Sequence, residues 1–175
     1  MTTFSHRVLG AALLDTQVYE EVEADSRATP QAVAVVLLAG VAGGIGLLGF
    51  GAVRNLVAGV IVALVGWVAW ATLTYLIGTR LLPQSQTQAD VGQLLRTLAF
   101  ASAPGVLRAL GVIPLLGLPI YVIASVWMLV AMIIAVRQAL DYTSTGRAVA
   151  VCAVGWALSM ALATIVGILF PSSVS

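Results

Sequence analysis

The spacing of the charges is the feature that most constrains this chain. No charged side chain occurs between Arg27 and Arg54, between Arg54 and Arg80, or between Arg108 and Arg137, and the intervening residues are overwhelmingly apolar. At 1.5 Å per residue, a helix needs roughly 20 such residues to cross bilayer hydrocarbon, and each interval supplies them. With 61% hydrophobic and 9% charged residues, against about 25% charge in an ordinary soluble domain, the chain has too few polar side chains to cover a water-soluble fold. The implied fold class is an all-α, polytopic transmembrane helical bundle.

Five spans are predicted, at about residues 31–53, 56–79, 91–111, 118–136 and 147–170. Residues 29–175 thus form a transmembrane domain, preceded by an amphipathic, acidic arm over residues 1–28. In the arm, Phe4, Val8, Ala11 and Leu14 share one side of a helix, with Ser5, His6 and Arg7 toward the other. Asp15 is placed to cap a second short helix, in which Val18 and Val22 face inward and Glu20 and Glu21 face water. The acidic run Glu20, Glu21, Glu23 and Asp25 reads as a solvated face, with docking on basic side chains or a partner as the alternative. The start is acidic where a signal peptide is basic, so the N-terminus is expected to be retained.

Local punctuation sets the helix ends. Thr29 before Pro30 reads as a cap followed by a first helical residue. Asp90 with Gln93 has the spacing of a capping box, Thr145 is a cap for the last helix, and Pro171 is its stop. Glycines crowd the first span, and Gly40 and Gly44 have the small-xxx-small spacing that lets helix backbones approach. That face would serve either a homodimer or packing inside one bundle.

The third segment is ambiguous because Arg96 and Arg108 flank an uncharged stretch too short to span by itself. Either it crosses, kinked at Pro104, or it is re-entrant. Crossing places Arg7, Arg27, Arg80, Arg96, Arg137 and Arg147 on one side, against Arg54 and Arg108, and this split obeys the positive-inside tendency better. The N-terminus is then cytoplasmic and the C-terminus outside. All eight basic residues are Arg, which suits a GC-rich bacterial genome and hence a bacterial cytoplasmic (inner) membrane.

Chemistry-bearing residues are scarce. The spans contain no Asp, Glu, His or Lys, which argues against an ion-coupled pump. The sole histidine, His6, lies in the arm, and no carboxylate sits beside an intramembrane Ser or Thr. The single Cys152 excludes an intrachain disulfide and a thiolate metal cluster, so no catalytic residue, cofactor or metal is predicted. A net charge of +1 with no basic cluster sets nucleic acid aside. Arg96 and Arg108 read first as interfacial, snorkelling side chains and second as binders of lipid phosphate or another anion, Arg96 being the better placed. Trp67, Trp70 and Trp127 read as core packing or the wall of a lipid-facing groove, their indole N–H groups within reach of Thr72, Thr74 and Ser125. Arg137 and Asp141 are spaced as a helical ion pair.

The order of parts, an acidic LLDTQVYEEVEAD arm, a Gly-rich first span, FASAPGVLRALGVIPLLG, then VWMLVAMIIAVRQALDYTSTGRAVAVCAVGW, resembles the Yip1 domain family in its short bacterial form. The resemblance implies five spans and an inward N-terminus. Eukaryotic members carry a longer cytosolic arm with a DLYGP-type motif and are tied to Rab GTPases. This chain has neither the long arm nor the motif, so Rab binding is not carried over. The expected role is non-enzymatic membrane organisation, shaping or assembly, with the lipid bilayer and other membrane proteins or self as partners. The alternative is a small permeation or lipid-translocation unit.

Overall fold

The computed structural model describes residues 3–48, 56–113 and 115–169. Among them no strand occurs, and the helices follow the apolar blocks: α1 (Phe4–Ala12), α2 (Thr16–Ala24), α3 (Thr29–Leu48), α4 (Leu56–Leu76), α5 (Val91–Ala101), α6 (Gly117–Ala139) and α7 (Thr145–Leu169). A π-helical turn, Ile77–Leu81, extends α4, and a 3-10 helix, Ala103–Val112, follows α5. The predicted end of the first span at Val53, the placement of Arg54, and the stop at Pro171 lie outside the described residues.

Among the described residues three helical stretches are long and apolar enough to cross a membrane, Ser26–Leu47, Val60–Leu81 and Gly117–Ala139, and a shorter apolar stretch covers Thr145–Ala161. Their outer surfaces are apolar: Leu38, Ile61, Val62, Val65, Ile123 and Leu129 are all exposed. In water such a surface would drive aggregation, and in lipid it is solvated. Alanine is the commonest residue of the buried core, with Ala32, Ala71, Ala99, Ala131 and Ala135 among them, as expected where helices gain from close packing rather than from expelling water.

Antiparallel neighbours are read from their contacts. Gly40 of α3 faces Ala63 of α4. The Trp67 indole of α4 donates to the Leu95 carbonyl of α5 at 3.0 Å. The third segment is broken at Ser102, where α5 gives way to the 3-10 helix with Pro104 in its first turn. Gly105 sits against Ala39 and Met128, and farther along Arg108 sits against Gly46 and Ser125, so the 3-10 helix advances beside α3 and runs counter to α6. A Cβ on Gly46 would overlap the Arg108 carbonyl, which makes this the tightest backbone approach along α3.

Several local expectations hold in detail. Asp15 caps α2 through the Gln17 amide, and Asp90 with Gln93 forms a reciprocal capping box on α5. Val18 and Val22 are buried. Others need correction. Thr29 does not accept orphan amides, because a 3-10 turn at Ser26–Ala28 precedes it and its hydroxyl donates back to the Ser26 carbonyl. Arg137 does not pair with Asp141: its guanidinium turns to the Tyr142 carbonyl and the Thr145 hydroxyl. The reason is a left-handed residue at Asp141 (φ 52°), which ends α6 with hydrogen bonds from the Asp141 and Tyr142 amides to the Gln138 and Arg137 carbonyls and takes Asp141 off the helix face.

Candidate functional site

Two polar constructions stand out in this apolar bundle. The first fastens the arm. Arg7, 5% exposed, reaches Glu21 and Asp25 at 2.7 Å each and also donates to Gln31 at the start of α3. Arg96 on α5 donates to the carbonyls of Val22, at 2.9 Å, and Glu23. These are the carbonyls that the C-terminal end of α2 leaves without intrahelical partners, and a cation there also complements the helix dipole. Gln138 near the end of α6 bonds Glu20 at 2.8 Å, and the Trp127 indole of α6 donates to the Ala12 carbonyl at 2.7 Å.

The acidic run is therefore a docking face rather than a solvated one. Arg7 is buried because its partners lie on α2, just past its end and on α3, a relationship that no helical-wheel reading of α1 contains. Its guanidinium holds the Asp25 carboxyl below the ordinary range. Glu23 moves the other way: burial first, then the neighbouring Asp141, push its carboxyl up to about 7 against the opposing pull of Arg96.

The second construction is a cavity of about 660 Å³ between α4, α6, α7 and the 3-10 helix. Trp70, Met128, Met132, Cys152 and Trp156 line it, and among the described residues Arg108 and Ser125 are its only charged or hydroxylic lining. Trp156 is 66% exposed and Leu129 on the same wall is also exposed, so the cavity opens through the outer surface of the bundle. Arg108 donates through Nη2 to the Ser125 hydroxyl at 2.9 Å, and its Cζ lies 4.8 Å from the centre of the Tyr121 ring. Arg108 Nε and Trp70 Nε1 are buried without any hydrogen-bond partner, the only side-chain atoms so placed among the described residues.

The structure thus separates residues that the sequence put together. Arg96 is engaged at the arm, whereas Arg108 faces the cavity. Pro104 lies buried in the 3-10 helix between them. Gly40 packs within the chain on Ala63, and Gly44 is partly buried on α3. The tryptophans also divide, since Trp67 and Trp127 find backbone carbonyls rather than the nearby hydroxyls, and Trp70 lines the cavity. Ser125 and Tyr121 were legible as one helix face by their spacing of four, but nothing in the sequence aims that face at Arg108. Among the described residues no group of three or more His, Cys, Asp or Glu is placed to hold a metal.

Long apolar helices around an alanine-rich core define an integral, polytopic membrane protein. A family model, the Yip1 domain, matches residues 16–167. The chain belongs to the Yip1 domain family. Comparison with curated proteins and with solved structures returns no match.

Proposed function

We propose that this is a non-enzymatic, five-pass protein of a bacterial cytoplasmic membrane that shapes or organises the bilayer through its docked arm, with the arm cytoplasmic and the C-terminus outside. One observation carries the reading. Leu9 on α1 and Leu13 at its C-cap are 63% and 73% exposed, and α1 is fastened along the bundle by Arg7 and by Trp127. Two outward leucines on an apolar face fastened against a spanning helix belong among acyl chains. The arm then adds cross-section to one leaflet only, and unequal cross-section favours curvature.

Five crossings are supported by the course of the third segment. α5, with 11 residues, rises about 16 Å and cannot cross alone. The 3-10 helix adds about 20 Å in the direction of α3. Opposite locations for reporters fused at the N-terminus and after Ser175 are the expected result, and same-side reporters would remove the five-pass arrangement.

Purified protein should reduce the diameter of reconstituted vesicles as its density rises, with the paired change Leu9→Ser and Leu13→Ser restoring the protein-free diameter. Equal diameters with and without the wild-type protein would sink the shaping role. The cavity favours a second reading, lipid translocation, for which vesicles with a dithionite-quenchable lipid probe are the test: flux no faster than in empty vesicles would exclude it.

A further inference from the structure

The cavity pairs a permanent cation with a nearly wholly apolar wall, and this combination specifies a guest. A guanidinium is never neutral in a protein and carries five donors. Arg108 spends one on Ser125 and rests its face on Tyr121, and its Nε is left buried and unpartnered. No carboxylate is available for it: the spans contain none, none lines the cavity among the described residues, and Glu21, Glu23 and Asp25 lie beside Arg7 and Arg96. A buried donor without an acceptor costs about 1–3 kcal/mol, and more when it is charged. The second orphan, Nε1 of Trp70, belongs to another residue of the cavity wall and lacks an acceptor oxygen.

We infer that the cavity binds one anionic phospholipid, its phosphate on Arg108 and its acyl chain laid along α6 past Met128 and Met132 toward Cys152. Arg108 lies beside Gly46, near the end of α3 remote from the arm, so the lipid comes from the leaflet opposite the arm. A phosphate offers several acceptor oxygens to the guanidinium, and such charge-assisted bonds are the strong class. The ester carbonyls of the same molecule supply the acceptor that Trp70 lacks. Methionine side chains suit a flexible chain because their thioethers adapt to irregular apolar shapes. The volume of about 660 Å³ falls among pockets that hold small molecules. A zwitterionic lipid would bring a compensating ammonium to a wall that offers it no carboxylate.

The assignment is independent of the arm's role, and its test does not read vesicle shape. Purified protein in mild detergent is offered phosphatidylglycerol, phosphatidylcholine of identical chains, or palmitate, and bound lipid is counted by native mass spectrometry. One phosphatidylglycerol per chain, retained about tenfold better than phosphatidylcholine or palmitate, is expected. Arg108→Gln should erase that preference, and Trp70→Phe should weaken retention severalfold. Ala153→Phe, which fills the cavity and leaves every polar group in place, should also lower retention. This variant decides the matter if Arg108→Gln does not fold. Equal retention of phosphatidylglycerol and phosphatidylcholine, preference for palmitate, or retention unchanged in Ala153→Phe would overturn the assignment.

Discussion

Arg96 closes the C-terminal end of the arm helix α2: its Nε donates to the Val22 carbonyl at 2.9 Å, across 74 positions of sequence. The bond ties the middle of the bundle to the arm with a charged donor, and charged hydrogen bonds contribute about 1.5–3 kcal/mol each. Arg96→Met keeps the length and loses the donors, leaving the carbonyls of Val22 and Glu23 unpaired. A loss of about 2–4 kcal/mol is expected, together with much faster cleavage of the arm by a glutamate-specific protease. Arg80→Met, which changes an exposed arginine in the π-helical turn, should stay within about 0.5 kcal/mol and leave cleavage unchanged.

Glycines along α3 should divide sharply by what faces them. A Cβ at position 46 overlaps the Arg108 backbone carbonyl, which cannot rotate away, whereas a Cβ at position 43 meets nothing within 4 Å. Gly46→Ala must therefore push the 3-10 helix off α3 and should cost about 3 kcal/mol, the upper end for overpacking. Gly43→Ala should be neutral or slightly stabilising. Thermal unfolding in detergent distinguishes the two. Because the shift also moves Arg108, Gly46→Ala alone should lower lipid retention.

What the sequence makes legible follows from the range of the interactions involved. Apolar block lengths and caps are local, so the main helices, the Asp90–Gln93 capping box and the Asp15 cap can be read directly. The break between α5 and the 3-10 helix is half legible, since Pro104 marks it but Ser102 is where it falls. Ion pairs between α1 and α2, and the cap that Arg96 places on α2, depend on how hairpins dock. No spacing rule reports that. The cavity is harder still, because it is defined by donors that find no partner, and a missing partner leaves no trace in a sequence. The sequence favours Arg96 over Arg108 as the anion binder, and packing reverses that order by making Arg96 a fastener and Arg108 a cavity wall.

Tyr142 gives a test of the loop that joins α6 to α7. In the π-helical turn the Leu82 amide bonds the Ile77 carbonyl, and the irregular register leaves other carbonyls free. The buried Tyr142 hydroxyl sits 2.7 Å from the Leu82 carbonyl and 3.0 Å from that of Gly78. Burial raises the phenol's pKa, so it remains a donor at neutral pH. Tyr142→Phe should cost about 1–2 kcal/mol by stranding these acceptors, with no effect on arm cleavage, as measured by thermal unfolding and the same protease.

Acidification should tighten the arm. Glu23 is held up to about 7, from an ordinary 4.5, by burial and by Asp141, Glu20 and Asp90, with Arg96 opposing. A carboxyl with a raised folded-state pKa binds its proton more tightly folded than unfolded, so stability falls as pH rises from about 4.5 to about 7 and is fully present below that window. Asp25, held low by Arg7, acts in the opposite sense, but only below its ordinary 3.8, outside the window. Glu23 is partly exposed, and with screening the gain from pH 8 to pH 5 should be on the order of 1 kcal/mol. Glu23→Gln should flatten the profile and give at pH 8 the protease resistance that wild type reaches at pH 5. A wild-type arm cleaved equally fast at both values, after correction for the protease's own pH dependence, would mean that Glu23 does not carry the proton.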